Sequence, residues 1–398
     1  QGRVRGDPLG PQMTAPPLGL LRATTLAALL LGALAASCGR VGYDAPEGTG
    51  VLLVAVDGLR ADHLSCLGYD RETTPTLDRL AEEGAVFASC ISAAPWLFPA
   101  HAAIVTGCDP NLCWRDLSGG RGGPRSRRWN VPEGAPHIAV EFLSRGYRTA
   151  AFADHNRISP GYGFRRGFQT YVRSKPLREP GPGTTAPRDF AGWVRSLDRD
   201  DAFFAYLHLA DLERSWDRLE KEWDTYYEPR RELQGIPPVA NTEPSFFALP
   251  RSRWMGARNL GAYVSRYDGA LLRLDREIDR LLSVLEQARR LDQTTICIVG
   301  THGIEFGDAG LVVASGAIAT ADLHVPWIVR PALGIEIEGG RIESMASTID
   351  VAPTILALAG IPAPAGTHGV SQLPTLLDAA QPSREHAFAS CGLQSGYA

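Results

Sequence analysis

The sequence predicts an α/β fold, in which a β-sheet carries helices on both faces. Short apolar runs rich in β-branched residues alternate along the chain with longer segments of helical period. Alternation of this kind is typical of strands that are joined by helices packed on a sheet. The apolar runs are also closed by turn residues, which is typical of buried strands.

The first strand is predicted at G-V-L-L-V-A-V-D-G, residues 50–58, where a β-branched run is closed by Asp57 and Gly58. A buried parallel strand commonly ends in this way when its carboxyl end faces a site. Further strands are predicted at 148–154, 201–209, 294–302 and 325–330.

Three helices are predicted between and after these strands. T-T-P-T-L-D-R-L-A-E-E-G, residues 73–84, has an early Pro75 and a terminal Gly84. The longest helix is predicted at 267–286, because six apolar residues recur there with a 3.6-residue period: Leu271, Leu274, Ile278, Leu281, Leu282 and Leu285. V-A-P-T-I-L-A-L-A-G-I-P, residues 351–362, is the third.

Two segments are predicted to lie outside the regular elements. Residues 174–188 are rich in Pro and Gly and predict a surface connection. Residues 211–258 mix Trp, Pro and charged residues without a clear period, so we interpret them as an insertion or lid near the site.

The overall charge gives no sign of a surface that binds nucleic acid. The formal net charge is −4, whereas such surfaces are usually basic. The Arg-rich stretch 121–128 is a local exception, and its Gly and Pro content indicates a solvated loop.

The N-terminus is predicted to carry an export signal. Residues 1–12 precede Met13 and look like a misplaced start, and residues 13–37 form an apolar segment behind a positive residue, which is typical of a secretory signal peptide. The segment ends directly before Cys38 and resembles a bacterial lipoprotein signal, which implies that Cys38 is lipidated and residues 38–50 form a linker. Cleavage nearby would leave Cys38 an ordinary thiol. Both readings export the protein, to the bacterial periplasm or to a membrane as a lipoprotein.

The ordered segments resemble the sulfatase family, within the alkaline-phosphatase superfamily. V-L-L-V-A-V-D-G-L-R-A-D-H-L-S-C-L-G-Y resembles the family's first strand and turn, and six further segments follow in the family's order up to about residue 377. The resemblance implies a large, mostly parallel mixed sheet flanked by helices on both faces. It assigns residues 51–398 to that domain, with the family's small C-terminal subdomain largely missing.

The family's reaction is hydrolysis of sulfate esters, or of phosphate esters in related members. It uses a divalent metal (Ca, Mg, Mn or Zn) that activates an oxygen nucleophile. Family members place that nucleophile as Cys or Ser, and a sister group reads Thr-Leu-Pro-Ser-His. This chain reads L-F-P-A-H, so that Leu97 occupies the nucleophile position and cannot attack or bind metal. His101 keeps its place, either to contact a sulfate or phosphate oxygen or as a residue satisfied at a helix start.

The metal positions are also altered. The resemblance makes Asp57 a metal carboxylate, the alternative being a residue that caps the next turn. At T-H-G, residues 301–303, the family reads Asp-His-Gly, so His302 is a retained metal ligand while Thr301 replaces the second carboxylate. Glu305 and Asp308 are acids in the same loop, and either could reach the metal. The interpretation we favour is that each is a solvent-exposed loop carboxylate.

Two more histidines stand at strand ends. H-L-A-D-L-E, residues 208–213, resembles a strand end that reads Asp-Pro-His in relatives, with Asp211 in the Asp position and Glu213 in that of the His. His208 either points into the cleft or ends the strand. For His324, which precedes V-P-W-I-V, structural and site roles are equally open.

Together these substitutions predict an exported pseudoenzyme with metal binding that is weak or absent. Its fold would serve as a binding module for a sulfated or phosphorylated glycan, a small ester or a partner protein, with membrane contact only through a lipid anchor. The alternative is an active hydrolase in which metal-bound water attacks and Glu305 or Asp308 fills the vacant ligand position. A copy with no retained role is a third reading, although the uninterrupted strand and helix patterns predict that the chain folds.

Overall fold

An eight-stranded mixed sheet forms the centre of the described part of the chain. The computed structural model describes residues 48–115, 128–155, 157–173, 185–214, 259–306 and 318–390. The predicted segments 1–12 and 13–37, with Cys38 and most of its linker, lie outside these residues. So do the Arg-rich stretch up to Arg127, most of the 174–188 connection, and all but the first four residues of the predicted lid.

The strand order in the sheet is β10-β2-β9-β8-β1-β7-β5-β6. Every pairing is parallel except those of β9, which runs antiparallel to both β2 and β8. A separate two-stranded sheet is formed by β3 and β4. The strands are β1 Gly50–Asp57, β2 Ala85–Ile91, β3 Trp114–Arg115, β4 Arg128–Trp129, β5 Arg148–Ala153, β6 Thr170–Arg173, β7 Phe203–Leu209, β8 Thr294–His302, β9 His324–Arg330 and β10 Gly340–Ser347. All five predicted strands are confirmed.

Nine α-helices are assigned in the described residues. They are α1 Pro75–Glu82, α2 Leu97–Thr106, α3 Ile138–Ser144, α4 Ala186–Arg195, α5 Asp211–Arg214, α6 Leu260–Gln287, α7 Thr320–Leu323, α8 Val351–Leu358 and α9 Leu373–Leu377. The three predicted helices correspond to α1, α6 and α8, and α6 begins seven residues earlier than its apolar stripe suggested. None of the helices in these residues combines the length and apolar character needed to cross a membrane.

The sheet is buried on both faces, as strict alternation along β1 shows. Val51, Leu53 and Ala55 pack into one apolar core, together with residues of α2, α3 and α8. The intervening Leu52, Val54 and Val56 pack into a second core, with residues of α1, α4 and α6. The predicted α/β class, with helices on both faces of a mostly parallel sheet, is confirmed.

The carboxyl ends of β1, β7 and β8 lie side by side at one edge of the sheet, because these neighbouring strands run parallel. Strand β9 runs in the opposite direction beside β8, so its first residue, His324, lies at this same edge. Polar residues that end one strand or begin the other are therefore brought together there. This edge is where ligands bind in open parallel sheets.

Candidate functional site

Asp57 is the last residue of β1 and lies at the centre of the sheet edge. The alternation of β1 directs it to the same face as Val51, Leu53 and Ala55, which is the face covered by α2. Its side chain is completely buried. A buried carboxylate requires hydrogen-bond donors or a cation to compensate the loss of water.

Three donors from three different elements meet the Asp57 carboxylate. Oδ1 accepts hydrogen bonds from His101 Nε2 of α2 at 2.8 Å and from Thr301 Oγ1 of β8 at 2.6 Å. Oδ2 accepts from His208 Nε2 of β7 at 2.7 Å. His101, His208 and Thr301 are all completely buried, and the two imidazole rings meet edge-on with their centroids 4.3 Å apart. Of the histidines predicted as site residues, His101 and His208 are thus brought to Asp57.

The carboxyl of Asp57 is ionised in this setting. Burial alone would raise the pKa of Asp57, but His208 and His101, which donate hydrogen bonds to it, hold that pKa well below its usual range. Burial lowers the pKa of His101 to about 4, so this ring is neutral at pH 7. The Asp57–His101 contact is therefore a hydrogen bond from a neutral imidazole to an anion.

Tyr206 is a member of the site that the sequence interpretation missed. It is completely buried on β7, and its hydroxyl forms a hydrogen bond with His101 Nδ1. Burial raises the pKa of Tyr206 well above its ordinary value, so the phenol keeps its proton. A signal was present in the sequence, since residues two apart on a strand share a face and Tyr206 stands two positions before His208.

Leu97, predicted to occupy the nucleophile position, is the first residue of α2. It lies four residues before His101, and residues four apart lie on the same side of a helix. Its side chain is 7% exposed and belongs to the apolar core. The next residue, Phe98, packs edge-to-face on Phe164 and Tyr162 at centroid distances of 5.3 and 6.0 Å. The start of α2 is therefore apolar and closely packed.

The other predicted residues of β8 and its loop are buried as well. His302 is aligned with Asp57 in the sheet, and its Nδ1–H donates to the carbonyl oxygen of Gly303 at 2.8 Å. Glu305 is completely buried. The interpretation of Glu305 as a solvated loop carboxylate is wrong, because the segment after β8 turns into the protein rather than out of it. Asp308 lies outside the described residues.

Two further residues at the sheet edge have structural partners. Asp211 forms a 2.5 Å ion pair with Arg273, which ties the start of α5 to the long helix α6. His324 donates its Nε2–H to the carbonyl oxygen of Ala88 at 2.7 Å, so it joins β9 to β2. Neither contact directs these side chains to Asp57.

One group of residues at this edge of the sheet could hold a metal ion. Ligand atoms of Asp57, His101 and His208 lie within 4.8 Å of one another. Among the described residues, this is the one group of three or more His, Cys, Asp or Glu side chains close enough together to bind the same metal ion. One carboxylate with two imidazoles suits zinc or manganese better than calcium or magnesium. The metal ligands that the family resemblance implies are a different set. Leu97 and Thr301 carry no charge at two of those positions, and His302 lies outside the group formed by Asp57, His101 and His208. The residues present do not fit the family's site.

Comparisons with known proteins agree on one family. The family model described as Sulfatase matches residues 49–361. The ulvan-active sulfatase of Formosa agariphila is 23% identical over 346 residues, which cover 79% of this chain and 52% of that protein. The chain thus spans about half the length of that relative.

Solved structures share the fold. The phosphonate monoester hydrolase of Agrobacterium radiobacter superposes with a TM-score of 0.66 at 18% identity, covering 84% of this chain and 78% of that chain. A protein solved in complex with its substrate D-glucosamine-2-N,6-O-disulfate superposes with a TM-score of 0.61 at 18% identity, covering 83% of this chain and 80% of that chain.

Proposed function

The chain belongs to the sulfatase family, and on this basis we propose that it is an exported member in which ester hydrolysis has been lost and ligand binding kept. Members of the family hydrolyse sulfate esters and normally use a divalent metal. The proposal concerns what remains of that activity in this chain.

The observation that carries the proposal is the replacement of the attacking atom. By the sequence resemblance, Leu97 takes the position in which the family places its nucleophile. Its isobutyl group is packed into the core at the first turn of α2. No covalent intermediate can form on an alkyl side chain. Loss of a covalent nucleophile removes a factor on the order of thousands or more in turnover.

The state of Asp57 supports the same conclusion. Three donors already occupy its oxygens, and one of them is the hydroxyl of Thr301, which by the sequence resemblance replaces a second carboxylate. Calcium takes six to eight oxygen ligands from the protein and water. The group of three ligand residues in the described part of the chain offers one carboxylate and two imidazoles.

The ligand class we propose is a sulfated or phosphorylated glycan or small ester. One relative is named for its activity on ulvan, and one structural neighbour was solved with a disulfated glucosamine. A binding module that keeps the fold can keep the contacts to the sugar while lacking those to the reacting group. Attachment through a lipid on Cys38 would hold it at a membrane surface.

A second candidate function is an active metal-dependent hydrolase that uses water in place of a protein nucleophile. The grouping of Asp57, His101 and His208 within 4.8 Å favours it, because these residues would hold the ion. When bound, a divalent metal supplies Lewis acidity at the ester oxygen. In this reading Glu305, which is buried in the loop after β8, would accept a proton from water.

Turnover by the purified chain separates the two candidates. Aryl sulfate and aryl phosphate are incubated with the wild type and with Asp57→Ala, each with manganese, zinc or calcium added. We expect equal, background rates in both proteins. Wild-type turnover that Asp57→Ala abolishes would establish the hydrolase instead.

Binding is tested separately, by calorimetry with a sulfated oligosaccharide and its desulfated counterpart. We expect the sulfated form to bind more tightly, by at least about 10-fold. Equal or undetectable binding of both forms would refute the proposed ligand class.

A further inference from the structure

We propose that the Thr301 hydroxyl and the Nε2–H groups of His101 and His208 take the place of the family's cation, so that Asp57 is the acceptor of a metal-free cluster. The Asp57 cluster is defined as Asp57, His101, Tyr206, His208 and Thr301. The inference deepens the proposed function and rests on it, because it states what the site has become. Its role is to join β1, α2, β7 and β8.

The first support is the number of acceptor positions. Each carboxylate oxygen has two lone pairs. Both positions on Asp57 Oδ1 are taken, by His101 Nε2 at 2.8 Å and Thr301 Oγ1 at 2.6 Å, and one position on Oδ2 is taken by His208 Nε2 at 2.7 Å. A cation at Oδ1 would have to displace one of these donors, and one position on Oδ2 is left.

The second support is the proton arrangement that Tyr206 imposes. The hydrogen-bond partner of its hydroxyl is His101 Nδ1. If the phenol donates, Nδ1 accepts and the single proton of the neutral ring sits on Nε2, facing Asp57. Every hydrogen bond from Tyr206 through His101 to Asp57 then has one donor and one acceptor. A metal on His101 Nε2 would reverse this order and deprive the buried phenol of its acceptor.

The third support comes from His208. Its Nδ1 has no hydrogen-bond partner among the described residues. Donation from Nε2 to Asp57 leaves Nδ1 as an unprotonated acceptor. Ligation of a metal by Nε2 would move the proton to Nδ1, where it would be a buried donor without an acceptor. Histidines that bind metals almost always donate their second N–H, and loss of that support costs roughly 10- to 100-fold in metal affinity.

Thr301 is the residue on which the arrangement depends. An aspartate at this position would place a second carboxylate against Oδ1 of Asp57. Two buried carboxylates this close stay ionised together only with a cation between them; otherwise one takes up a proton. The threonine hydroxyl removes that requirement, since it donates to Oδ1 instead of repelling it. One substitution therefore changes both the charge of the cluster and its need for metal.

The wild type provides the first test. The purified full chain is analysed for metal content, and its thermal unfolding is followed with EDTA, manganese, zinc or calcium. We expect no stoichiometric metal, and a Tm that moves by less than about 1 °C with any of these additions, because a ligand that does not bind the native state does not stabilise it. One equivalent of tightly bound metal, or a fall in Tm with EDTA, would overturn the proposal.

Substitutions at Thr301 provide the second test. Thr301→Val removes the donor at nearly constant volume and is expected to lower Tm by about 2–4 °C, because a hydrogen bond to a charged group is lost. Thr301→Ser, the matched control, keeps the hydroxyl and should lose less. Thr301→Asp should unfold at lower temperature than wild type with EDTA and recover with manganese or zinc. If valine and serine have equal effects, the hydroxyl has no role and the cluster is not as described.

The tests distinguish this inference from the proposed function. Metal bound by a wild type that shows no turnover would overturn the metal-free cluster and leave the proposed function intact. Turnover by a wild type without metal would overturn the proposed function and support the metal-free cluster. If Thr301→Asp does not fold, the wild-type titration decides the question alone.

Discussion

His137 provides a quantitative prediction about acid stability. It precedes α3 and is buried, with Nδ1 accepting the backbone N–H of Ala139 at 3.3 Å and the ring packed edge-to-face on Phe168 at 5.8 Å. Because Nδ1 accepts, the proton is on Nε2, which has no hydrogen-bond partner among the described residues. Burial, with a smaller contribution from the Arg166 charge, lowers the pKa of His137 from 6.5 to about 3.

The sign and size of the effect follow from this shift. Below pH 6.5 the unfolded chain binds a proton at His137 that the folded chain does not, so stability rises with pH and is lost as pH falls from 6.5 towards 3. A pH of 5 lies 1.5 units below the pKa of 6.5 that His137 has in the unfolded chain. At that pH the shift therefore lowers the free energy of unfolding by about 2 kcal/mol. His137→Asn keeps an acceptor for Ala139 N–H and removes the titration.

The assay is urea unfolding of the wild type and of His137→Asn at pH 7.5 and at pH 5.0. We expect the wild type to lose about 2 kcal/mol more than the variant between the two pH values, because the other titrating groups are common to both proteins. The comparison cancels their contribution. Equal losses in the two proteins would show that His137 does not enter the fold as a buried neutral ring.

Other predictions concern the site and the C-terminal segment. Leu97→Ala should lower the free energy of unfolding by about 2–5 kcal/mol, whereas Leu97→Met should cost less than about 1.5 kcal/mol; equal losses in urea unfolding would place Leu97 outside the core. Leu97→Thr combined with Thr301→Asp adds two oxygen ligands and should raise affinity for manganese by at least about 10-fold in calorimetry, and an unchanged titration would contradict the proposed ligand positions. Arg384 donates to buried Asp350 from Nε at 2.8 Å and from Nη2 at 2.5 Å. Arg384→Met should lower the free energy of unfolding by about 3 kcal/mol, because it leaves a buried carboxylate unpaired. An unchanged urea midpoint would show that the pair is dispensable.

The predictable part of the fold lies where one physical signal dominates. The β-branched runs of β1 and β8 are buried on both faces, and the stripe on α6 packs on the sheet, so apolar pattern alone located them. Strand β10 was not predicted, because Arg341 and Glu343 break the apolar pattern and only part of the strand is buried. Its place is set by parallel pairing with β2, which is a long-range contact.

The candidate site was predictable as a set of positions and not as a set of contacts. The strand end identified Asp57, and the family resemblance identified His208 and Thr301. These side chains meet because they lie at the carboxyl ends of neighbouring strands. The sequence did not reveal that Thr301 donates to Asp57, since a hydroxyl has several possible partners. Nor did it reveal the burial of Glu305, which depends on the path of the chain after β8.

The reversed direction of β9 has a consequence for how this protein can diverge. The connection from β8 to β9 leaves and re-enters the sheet at the site edge, and its base is closed by the bond from Gly303 N–H to Asp322 O at 2.8 Å. Changing the length of a chain segment between fixed ends costs little, about 0.6 kcal/mol for each doubling. Insertions in this connection would change the chain beside the site edge while the strands stay in register. New ligand preferences can therefore arise at this place by evolution without a new fold.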